Sequence, residues 1–283
     1  SHFVQRMKSM NLPNCVFADN TASLKPIEFY QEIFSSNISI VTCNKIGNSS
    51  SFAQYKLFRD TARLHGVDIF YETNVGAGLP IVKTLKDLMI SGDLILSIEA
   101  ILSGTISYIF NNYKGDITFH DIVKQAQEKG YTEPDPRDDL RGTDFMRKML
   151  ILARDAGYEL EAADVEIESM LPESCLNAET VDDFYKTLQA ENSFFEDMKK
   201  QAENGKKVLR YIGKLENGEV KIGLQMVDDA HPFYALSGSD NIISFITDRY
   251  KERPMVVKGP GAGAEVTAAG VFADIVHVGA NKF

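Results

Sequence analysis

The first third of the sequence alternates short apolar runs with longer amphipathic ones, and this rhythm restricts the fold more than any other feature. Strand-like runs occupy residues 14–20, 38–44 and 67–73, and helix-like runs occupy residues 26–36 and 50–66. Parallel neighbouring strands need a crossover of about a dozen residues, usually a helix. The order strand, helix, strand, helix, strand therefore predicts a parallel sheet covered by helices, which is half of a Rossmann-like layer.

A Rossmann-like layer normally opens with a strand, a Gly-rich turn and a helix. No G-x-G-x-x-G string precedes Asn11. The predicted parallel sheet therefore lacks its first Gly-rich βα unit, and we expect this chain on its own to bind a dinucleotide weakly or not at all. The strand that begins at Asn14 is expected at an open sheet edge, where another chain could pair with it.

From residue 80 onward the pattern changes to that of an α+β domain. Pro80 suits the first position of a helix that ends at Gly92, because proline needs no helical N–H donor there and glycine tolerates the left-handed stop. The Asn217-Gly218 pair joins two alternating runs and is the strongest short-range hairpin signal in the chain. This region is therefore predicted to contain helices and an antiparallel sheet.

These patterns predict an α/β protein with two domains. Residues 1–71 and 259–283 form a partial dinucleotide-binding domain, since the last stretch again resembles a strand, a Gly-rich loop and a helix. Residues 72–258 form a catalytic and dimerisation domain of the α+β type.

The composition excludes several classes of protein. Acidic residues outnumber basic ones by 40 to 30, which argues against a nucleic-acid partner. No apolar run reaches the roughly 20 residues that span a bilayer, and the N-terminus lacks the pattern of a signal peptide. We therefore expect a cytoplasmic protein without a membrane partner. The three cysteines and five histidines have no ligand spacing, so a disulfide framework or a structural zinc site is not expected.

Two Gly-rich strings, residues 75–80 and 259–270, each lie between a predicted strand and a predicted helix. Glycine at such a turn often serves only a positive φ angle, and the alternative is close approach of the backbone to a ligand. Glu72 precedes the first string. A carboxylate beside irregular backbone carbonyls can form an all-oxygen site for a hard cation. The alternative for Glu72 is a carboxylate that caps a turn.

The string GYTEPDPRDDLRGTDFMRK, residues 130–148, concentrates the candidate chemistry. Asp144 and Lys148 are four residues apart in a predicted helix and share a face, which alone indicates a surface ion pair of about 0.2–0.5 kcal/mol. The loop before them gathers four carboxylates, Glu133, Asp135, Asp138 and Asp139. Like charges repel unless they face a cation or a polar ligand. Lys45 follows a predicted strand, at the carboxyl edge where ligands bind. Two lysines and a carboxylate cluster around a small zwitterionic substrate are therefore predicted.

Seven strings together resemble those of homoserine dehydrogenase, and most closely the C-terminal half of the bifunctional aspartokinase/homoserine dehydrogenases. They are DNTAS, VTCNK, YETNVGAGLP, ILSGTISYIF, KGYTEPDPRDDLRGTDFMRKMLILAR, VLRYIG and GAGAEVTAAGVFAD, and the similarity runs from residue 11 to residue 274. The resemblance implies NAD- or NADP-dependent interconversion of L-aspartate 4-semialdehyde and L-homoserine, in the pathway to threonine, methionine and isoleucine. It also implies a homodimer or a higher homo-oligomer.

The resemblance implies a role for individual residues as well. Lys148 is similar to the family's proton donor and acceptor at the substrate oxygen, with Asp144 beside it and Lys45 near the nicotinamide and the substrate. The implied substrate-binding residues are Glu133, Asp139, Tyr131, Gly104 and Thr105. The implied cofactor-binding residues are Thr21, Lys45 and Gly263. The implied site for a monovalent cation, Na+ or K+, consists of Glu72 and the carbonyls of Val75, Ala77 and Leu79.

Three other interpretations stay open at the level of sequence. A Schiff-base lyase would use Lys148 or Lys45 as its nucleophile. An aldehyde-oxidising enzyme would use Cys43, although no general base accompanies it in the sequence. A regulatory or assembly module would keep the fold without the chemistry.

Overall fold

Two β-sheets organise the chain in the computed structural model, which describes residues 2–10 and 12–280. The first sheet is parallel and contains, in this order, β1 (Val16–Asp19), β2 (Ser39–Thr42) and β3 (Ile69–Phe70). The helices of this part of the chain are α1 (His2–Met10), α2 (Leu24–Ile27), α3 (Tyr30–Phe34), α4 (Lys45–Asn48) and α5 (Phe52–Leu64). The predicted parallel sheet is thereby confirmed, and β1 forms one of its edges.

The second sheet is mixed and has six strands in the order β5-β7-β6-β4-β8-β9. These are β4 (Ile95–Ile101), β5 (Val165–Ile167), β6 (Val208–Glu216), β7 (Glu219–Val227), β8 (Asp240–Thr247) and β9 (Met255–Pro260). β5 pairs with β7 in parallel, and the other neighbours pair antiparallel. The predicted hairpin is confirmed between β6 and β7, where Asn217 and Gly218 have φ angles of 53° and 82°. Two positive φ angles are those of a tight type I′ turn.

Nine further helices follow α5 along the chain within the described residues. They are α6 (Val82–Ile90), α7 (Gly104–Asn112), α8 (Phe119–Glu128), α9 (Pro136–Leu140), α10 (Thr143–Asp155), α11 (Glu173–Leu176), α12 (Val181–Ala190), α13 (Asn192–Asn204) and α14 (Ala264–Ala280). Short 3₁₀ turns cover Glu72–Asn74 and Ala162–Asp164. None of the helices in the described part of the chain combines the length and the apolar character that a membrane span requires.

α10 packs against β6 through an apolar stripe. Phe145, Met149 and Leu152 are buried in the larger hydrophobic core. The approach is so close that a Cβ atom on Gly213 of β6 would come within 2.7 Å of Phe145 and 2.8 Å of Met149. Any side chain larger than hydrogen at position 213 would therefore push α10 outward. Gly213 therefore sets how closely α10 approaches β6.

One helix start differs from its sequence prediction. α6 begins at Val82 rather than at Pro80, and the side chain of its N-cap residue, Ile81, makes no capping bond. Glu72 caps the helix instead: Oε1 accepts from the N–H groups of Ile81 (2.6 Å) and Val82 (2.8 Å), and Oε2 accepts from that of Lys83 (2.8 Å). The prediction of Pro80 at the first helical position was therefore wrong, because a carboxylate from the preceding loop sets the start of the helix.

The domain boundaries stay a prediction. The parallel sheet lies within residues 1–71 and the mixed sheet lies almost entirely within residues 72–258, with β9 continuing to Pro260. Residues 1, 11 and 281–283 of the predicted dinucleotide-binding domain lie outside the described residues. α14, which follows β9 in sequence, packs against β2 and β3 of the parallel sheet.

Candidate active site

The first turns of α10 bring the predicted acid and lysine together. Gly142 precedes the helix with a φ angle of 72°, a left-handed conformation that glycine adopts without a steric penalty. Asp144 Oδ2 then lies 2.8 Å from Lys148 Nζ, one helical turn further on. The predicted common face of Asp144 and Lys148 is confirmed.

Lys148 is more enclosed than a surface lysine. The residue is only 8% exposed, and its Nζ donates a hydrogen bond of 2.7 Å to the carbonyl oxygen of Leu102, just beyond the end of β4. Burial lowers the pKa of Lys148, and the positive charge of Lys45 acts in the same direction, while Asp144 opposes both. A lysine with a lowered pKa exchanges protons more readily near neutral pH.

Lys45 contacts the same carboxylate of Asp144 from the part of the chain that contains the parallel sheet. It is the first residue of α4, close to the carboxyl end of β2, and its Nζ lies 3.3 Å from Asp144 Oδ1. The protein around Asp144 would raise its pKa, but the ammonium groups of Lys148 and Lys45 outweigh this effect and lower the pKa to about 2. Asp144, whose side chain is 57% exposed, is therefore ionised throughout the physiological range.

A second carboxylate, Asp139, is held beside this cluster by two hydrogen bonds. The hydroxyl of Thr105 lies 3.0 Å from Asp139 Oδ1, and the N–H of Glu133 donates to Oδ2 at 2.8 Å. The same hydroxyl lies 2.5 Å from the carbonyl oxygen of Tyr131. Burial raises the pKa of Asp139, and the negative charge of Asp144 contributes. Four of the five implied substrate-binding residues are thus joined in one network. The fifth, Gly104, starts α7 next to Thr105.

The carboxylate cluster is smaller than the sequence suggests. Asp135 caps α9 and forms a 2.6 Å ion pair with Arg137, so its charge is already satisfied. Asp138 is exposed in the first turn of α9. Only Glu133 and Asp139 of the four loop acids belong to the network around Thr105.

A groove lies at the carboxyl ends of β1 and β2, beside the first turns of α14. It encloses about 670 Å³, and its lining includes Asn20, Cys43, Gly263, Thr267 and Phe272. Gly263 therefore faces this groove, whereas Thr21 and Lys45 are not among its lining residues. The carboxyl edge of a parallel sheet is where nucleotides bind in open α/β folds.

Asp19, which was not predicted as a site residue from the sequence, organises this edge. Asp19 is 1% exposed, and its carboxylate accepts from the N–H (3.0 Å) and hydroxyl (2.8 Å) of Thr21, from Tyr30 (2.7 Å) and from Asn44 (3.0 Å). Thr21 therefore stabilises the turn after β1 through its two bonds to Asp19. An aspartate at a strand end with a threonine two residues later is a signal for such a turn, but Tyr30 and Asn44 are too distant in sequence to be read from it.

Cys43 lacks the environment of a reactive thiol. Burial raises the pKa of its thiol despite the nearby charge of Lys45. Reactive cysteines need a lowered pKa, because the thiolate is the nucleophile. The geometry gives the aldehyde-oxidising interpretation no support.

The residues implied in a cation site surround the start of α6. Glu72 already accepts three backbone N–H groups there, which is the capping role that its sequence left as an alternative. The Leu79 carbonyl accepts from Ile81 (2.9 Å), Val75 is fully buried, and Ala77 has a φ angle of 53°. Within residues 2–10 and 12–280, no group of three or more His, Cys, Asp or Glu side chains is arranged to hold a metal ion.

Comparison with known proteins identifies the family of this chain. A model of the family described as homoserine dehydrogenase matches residues 80–276. The chain is 48% identical, over 271 residues, to the chloroplastic bifunctional aspartokinase/homoserine dehydrogenase 2 of Zea mays; the match covers 94% of this chain and 29% of the maize protein. The chain therefore spans less than a third of the bifunctional relatives that it matches.

Two further matches cover most of the length of the matched protein. The homoserine dehydrogenase of Schizosaccharomyces pombe is 44% identical over 271 residues, with coverage of 93% of this chain and 72% of the yeast protein. A Candida auris protein whose crystal structure is described as of unknown function is 38% identical and superposes with a TM-score of 0.93, covering 98% of this chain and 79% of its own. The sequence matches identify the family, and the structural match shows that the fold is shared with the Candida auris protein.

Proposed function

The chain belongs to the homoserine dehydrogenase family, and on this premise we propose that it reduces L-aspartate 4-semialdehyde to L-homoserine with NADPH or NADH. The observation that carries the proposal is the cluster of Lys148, Asp144 and Lys45, in which one carboxylate lies between two ammonium groups. Such a cluster suits a reaction in which negative charge develops on a substrate oxygen.

Lys148 is the proposed proton donor to the aldehyde oxygen during reduction, and the proton acceptor during oxidation of the alcohol. Its burial, its lowered pKa and its fixed hydrogen bond to Leu102 support this role. Asp144 is proposed to orient Lys148 and to keep it protonated. Lys45 is proposed to stabilise the same oxygen from the side of the parallel sheet.

The substrate's ammonium group is proposed to lie near Glu133 and Asp139. Asp139 is held in place by Thr105 and by the backbone of Glu133, so its orientation does not depend on the ligand. Tyr131, which stacks on Tyr108 with ring centroids 4.5 Å apart, and Gly104 complete the proposed pocket. Such a pre-formed site binds a zwitterion with little loss of conformational entropy.

The groove beside Gly263 is the proposed position of the nicotinamide cofactor. The groove fits this group because it lies at the carboxyl edge of a parallel sheet, has an aromatic side chain in Phe272 and has glycine at the start of α14, where backbone can approach a ligand. When bound, the cofactor would supply the hydride to the aldehyde carbon.

A monovalent cation, a homodimer and a reducing compartment are also proposed. Glu72 has about four lone-pair sites and uses three of them on α6, so it could give one further bond to Na+ or K+ beside the carbonyls of Val75, Ala77 and Leu79. A homodimer is proposed from the resemblance alone. A reducing compartment such as the cytoplasm is supported by the three free thiols, Cys15, Cys43 and Cys175.

The test is L-homoserine-dependent reduction of NADP and NAD by the protein, compared with its Lys148→Ala and Lys148→Arg variants. We expect kcat to fall about 100-fold or more with little change in KM, since a general acid or base contributes roughly 10² to 10⁴. Lys200→Ala, an exposed lysine of α13, is the matched control. A rise in KM alone would make Lys148 a binding residue, and a covalent adduct trapped by borohydride would favour the Schiff-base lyase.

A further inference from the structure

The 3₁₀ turn Glu72–Asn74 ends in a buried amide that joins the parallel sheet to the helix carrying Lys45. Asn74 is 0% exposed. Its Nδ2 donates to the carbonyl oxygen of Thr42 at 2.9 Å, and its Oδ1 accepts from Asn48 Nδ2 at 2.7 Å. Thr42 is the last residue of β2, and Asn48 is the last residue of α4. One side chain therefore bridges the strand end and the far end of the helix.

The end of α4 is held through Asn48, which is itself buried. α4 is a single turn of four residues, so its own hydrogen bonds hold it only weakly. Arg59 donates to Asn48 Oδ1 at 3.0 Å, and Arg154 donates to the Asn48 carbonyl at 3.0 Å. Both arginines belong to neighbouring helices, whereas Asn74 ties α4 to the end of the strand that precedes it.

Lys45, at the other end of α4, acts on Lys148 across the Asp144 carboxylate. Its Nζ lies 3.3 Å from Asp144 Oδ1, while Lys148 Nζ lies 2.8 Å from Oδ2. Burial is the main reason that the pKa of Lys148 is lowered. Of the charged groups that face this lysine, Asp144 and Asp139 raise the pKa and Lys45 lowers it. The distance between Lys45 and Asp144 therefore influences the protonation of Lys148.

We propose that Asn74 is a positioning residue for Lys45, because its bonds to β2 and α4 keep the Lys45 ammonium group beside Asp144. Asn74 is fully buried and cannot touch a substrate, so its effect on the chemistry passes through α4. The kinetic test of this role rests on the dehydrogenase function proposed above. The placement of Lys45 itself does not.

Asn74→Ala should release the end of α4, let Lys45 withdraw from Asp144 and thereby raise the pKa of Lys148. The falling limb of kcat against pH, in the direction of reduction, should move toward alkaline pH by about 0.5 unit or more, as expected when one repulsion between ammonium groups weakens. This sign is opposite to the one expected for loss of the Asp144 charge. An unchanged limb, or an acid shift, would overturn the proposal.

A double substitution shows whether the effect passes through Lys45. Lys45→Met removes the ammonium group and should itself raise the pKa of Lys148. Asn74→Ala added to Lys45→Met should then produce no further shift, because two residues that act through one contact are not additive. A second shift of the same size would mean that Asn74 acts by another route, and the proposal would be wrong.

Two further variants separate this role from a general loss of structure. Thr73→Val, in the same turn, removes a buried hydroxyl that has no hydrogen-bond partner among the described residues and should leave the limb in place. Asn48→Ala breaks the bond to Asn74 from the other side and should reproduce the alkaline shift, which keeps the test available where Asn74→Ala does not fold. A shift in Thr73→Val, or none in Asn48→Ala, would contradict the proposal.

NMR titration of isotope-labelled lysines measures the pKa of Lys148 without substrate or cofactor, with Lys148→Arg to assign its signal. A parent protein without dehydrogenase activity would refute the proposed function, and this titration would still test Asn74. A higher pKa of Lys148 in Asn74→Ala supports the positioning role, and an unchanged pKa overturns it.

Discussion

Asp144 is the residue on which the charge balance of the candidate active site depends. Its two carboxylate oxygens are each close to a different lysine, Lys148 at 2.8 Å and Lys45 at 3.3 Å. Without the carboxylate, two ammonium groups would face each other with no anion between them. Asp144 thus raises the pKa of Lys148, against the lowering effects of burial and of Lys45.

Asp144→Asn should therefore shift the pH dependence of the proposed reduction toward acid. A proton donor must be protonated, so activity falls as pH rises through the pKa of Lys148, and loss of the neighbouring negative charge lowers that pKa further. The measurement is kcat against pH in the direction of reduction. Asp138→Asn, which changes an exposed acid of α9, should leave the profile in place. An alkaline shift, or none, in Asp144→Asn would argue against Lys148 as the proton donor.

At the scale of single elements, α6 depends on a carboxylate from outside the helix. Glu72 accepts three of the N–H groups that the first turn leaves without partners. We expect Glu72→Ala to lower the free energy of unfolding by about 1–3 kcal/mol, and Glu72→Gln to cost less because one acceptor oxygen remains. Urea unfolding measures this change. Asp87→Ala, an exposed acid of the same helix, is the control and should stay within about 0.5 kcal/mol.

The same variant separates capping from cation binding. If Glu72 also binds Na+ or K+, these ions should stabilise the parent protein relative to a tetramethylammonium salt of equal ionic strength, and Glu72→Ala should lose that difference. Equal stability of the parent in all three salts would leave capping as the whole role of Glu72.

At the scale of the whole molecule, α10 connects the two sheets. Near its start, Asp144 contacts Lys45 of the parallel part. Near its end Arg154, which is 4% exposed, donates to the carbonyl oxygens of Asn48 (3.0 Å) and Ser50 (2.8 Å), between α4 and α5. The helix is thus held at both ends by the layer that carries the proposed cofactor groove.

Arg154→Met should weaken this connection strongly. The substitution keeps much of the apolar volume but removes the donors to Asn48 and Ser50 and also those to the Leu160 carbonyl. We expect a loss of about 3 kcal/mol, as for hydrogen bonds that involve a charged group. Unfolding followed by two probes, together with kcat, measures the effect. Arg147→Met on the same helix is the control. An unchanged midpoint would show that the two layers are held together by other contacts.

Local patterns in the sequence were sufficient for much of the architecture. The alternation of strand-like and helix-like runs indicated the parallel sheet, and Asn217-Gly218 indicated the hairpin. The spacing of Asp144 and Lys148 indicated their shared face. The hairpin and the shared face depend on residues within a few positions of one another, where backbone geometry fixes the outcome. The parallel pairing followed from the helix-length segments that separate the strands.

The sequence by itself therefore determined the elements, the family resemblance and the candidate lysines, and the tertiary structure decided what surrounds them. Only the fold places the Leu102 carbonyl 2.7 Å from Lys148 Nζ and buries Asp19 under Tyr30 and Asn44. Likewise only the fold assigns Glu72 to the start of α6, a start that the sequence had attributed to Pro80. These contacts join residues that are distant in the chain, and their energies come from burial and hydrogen bonding, which no local pattern records.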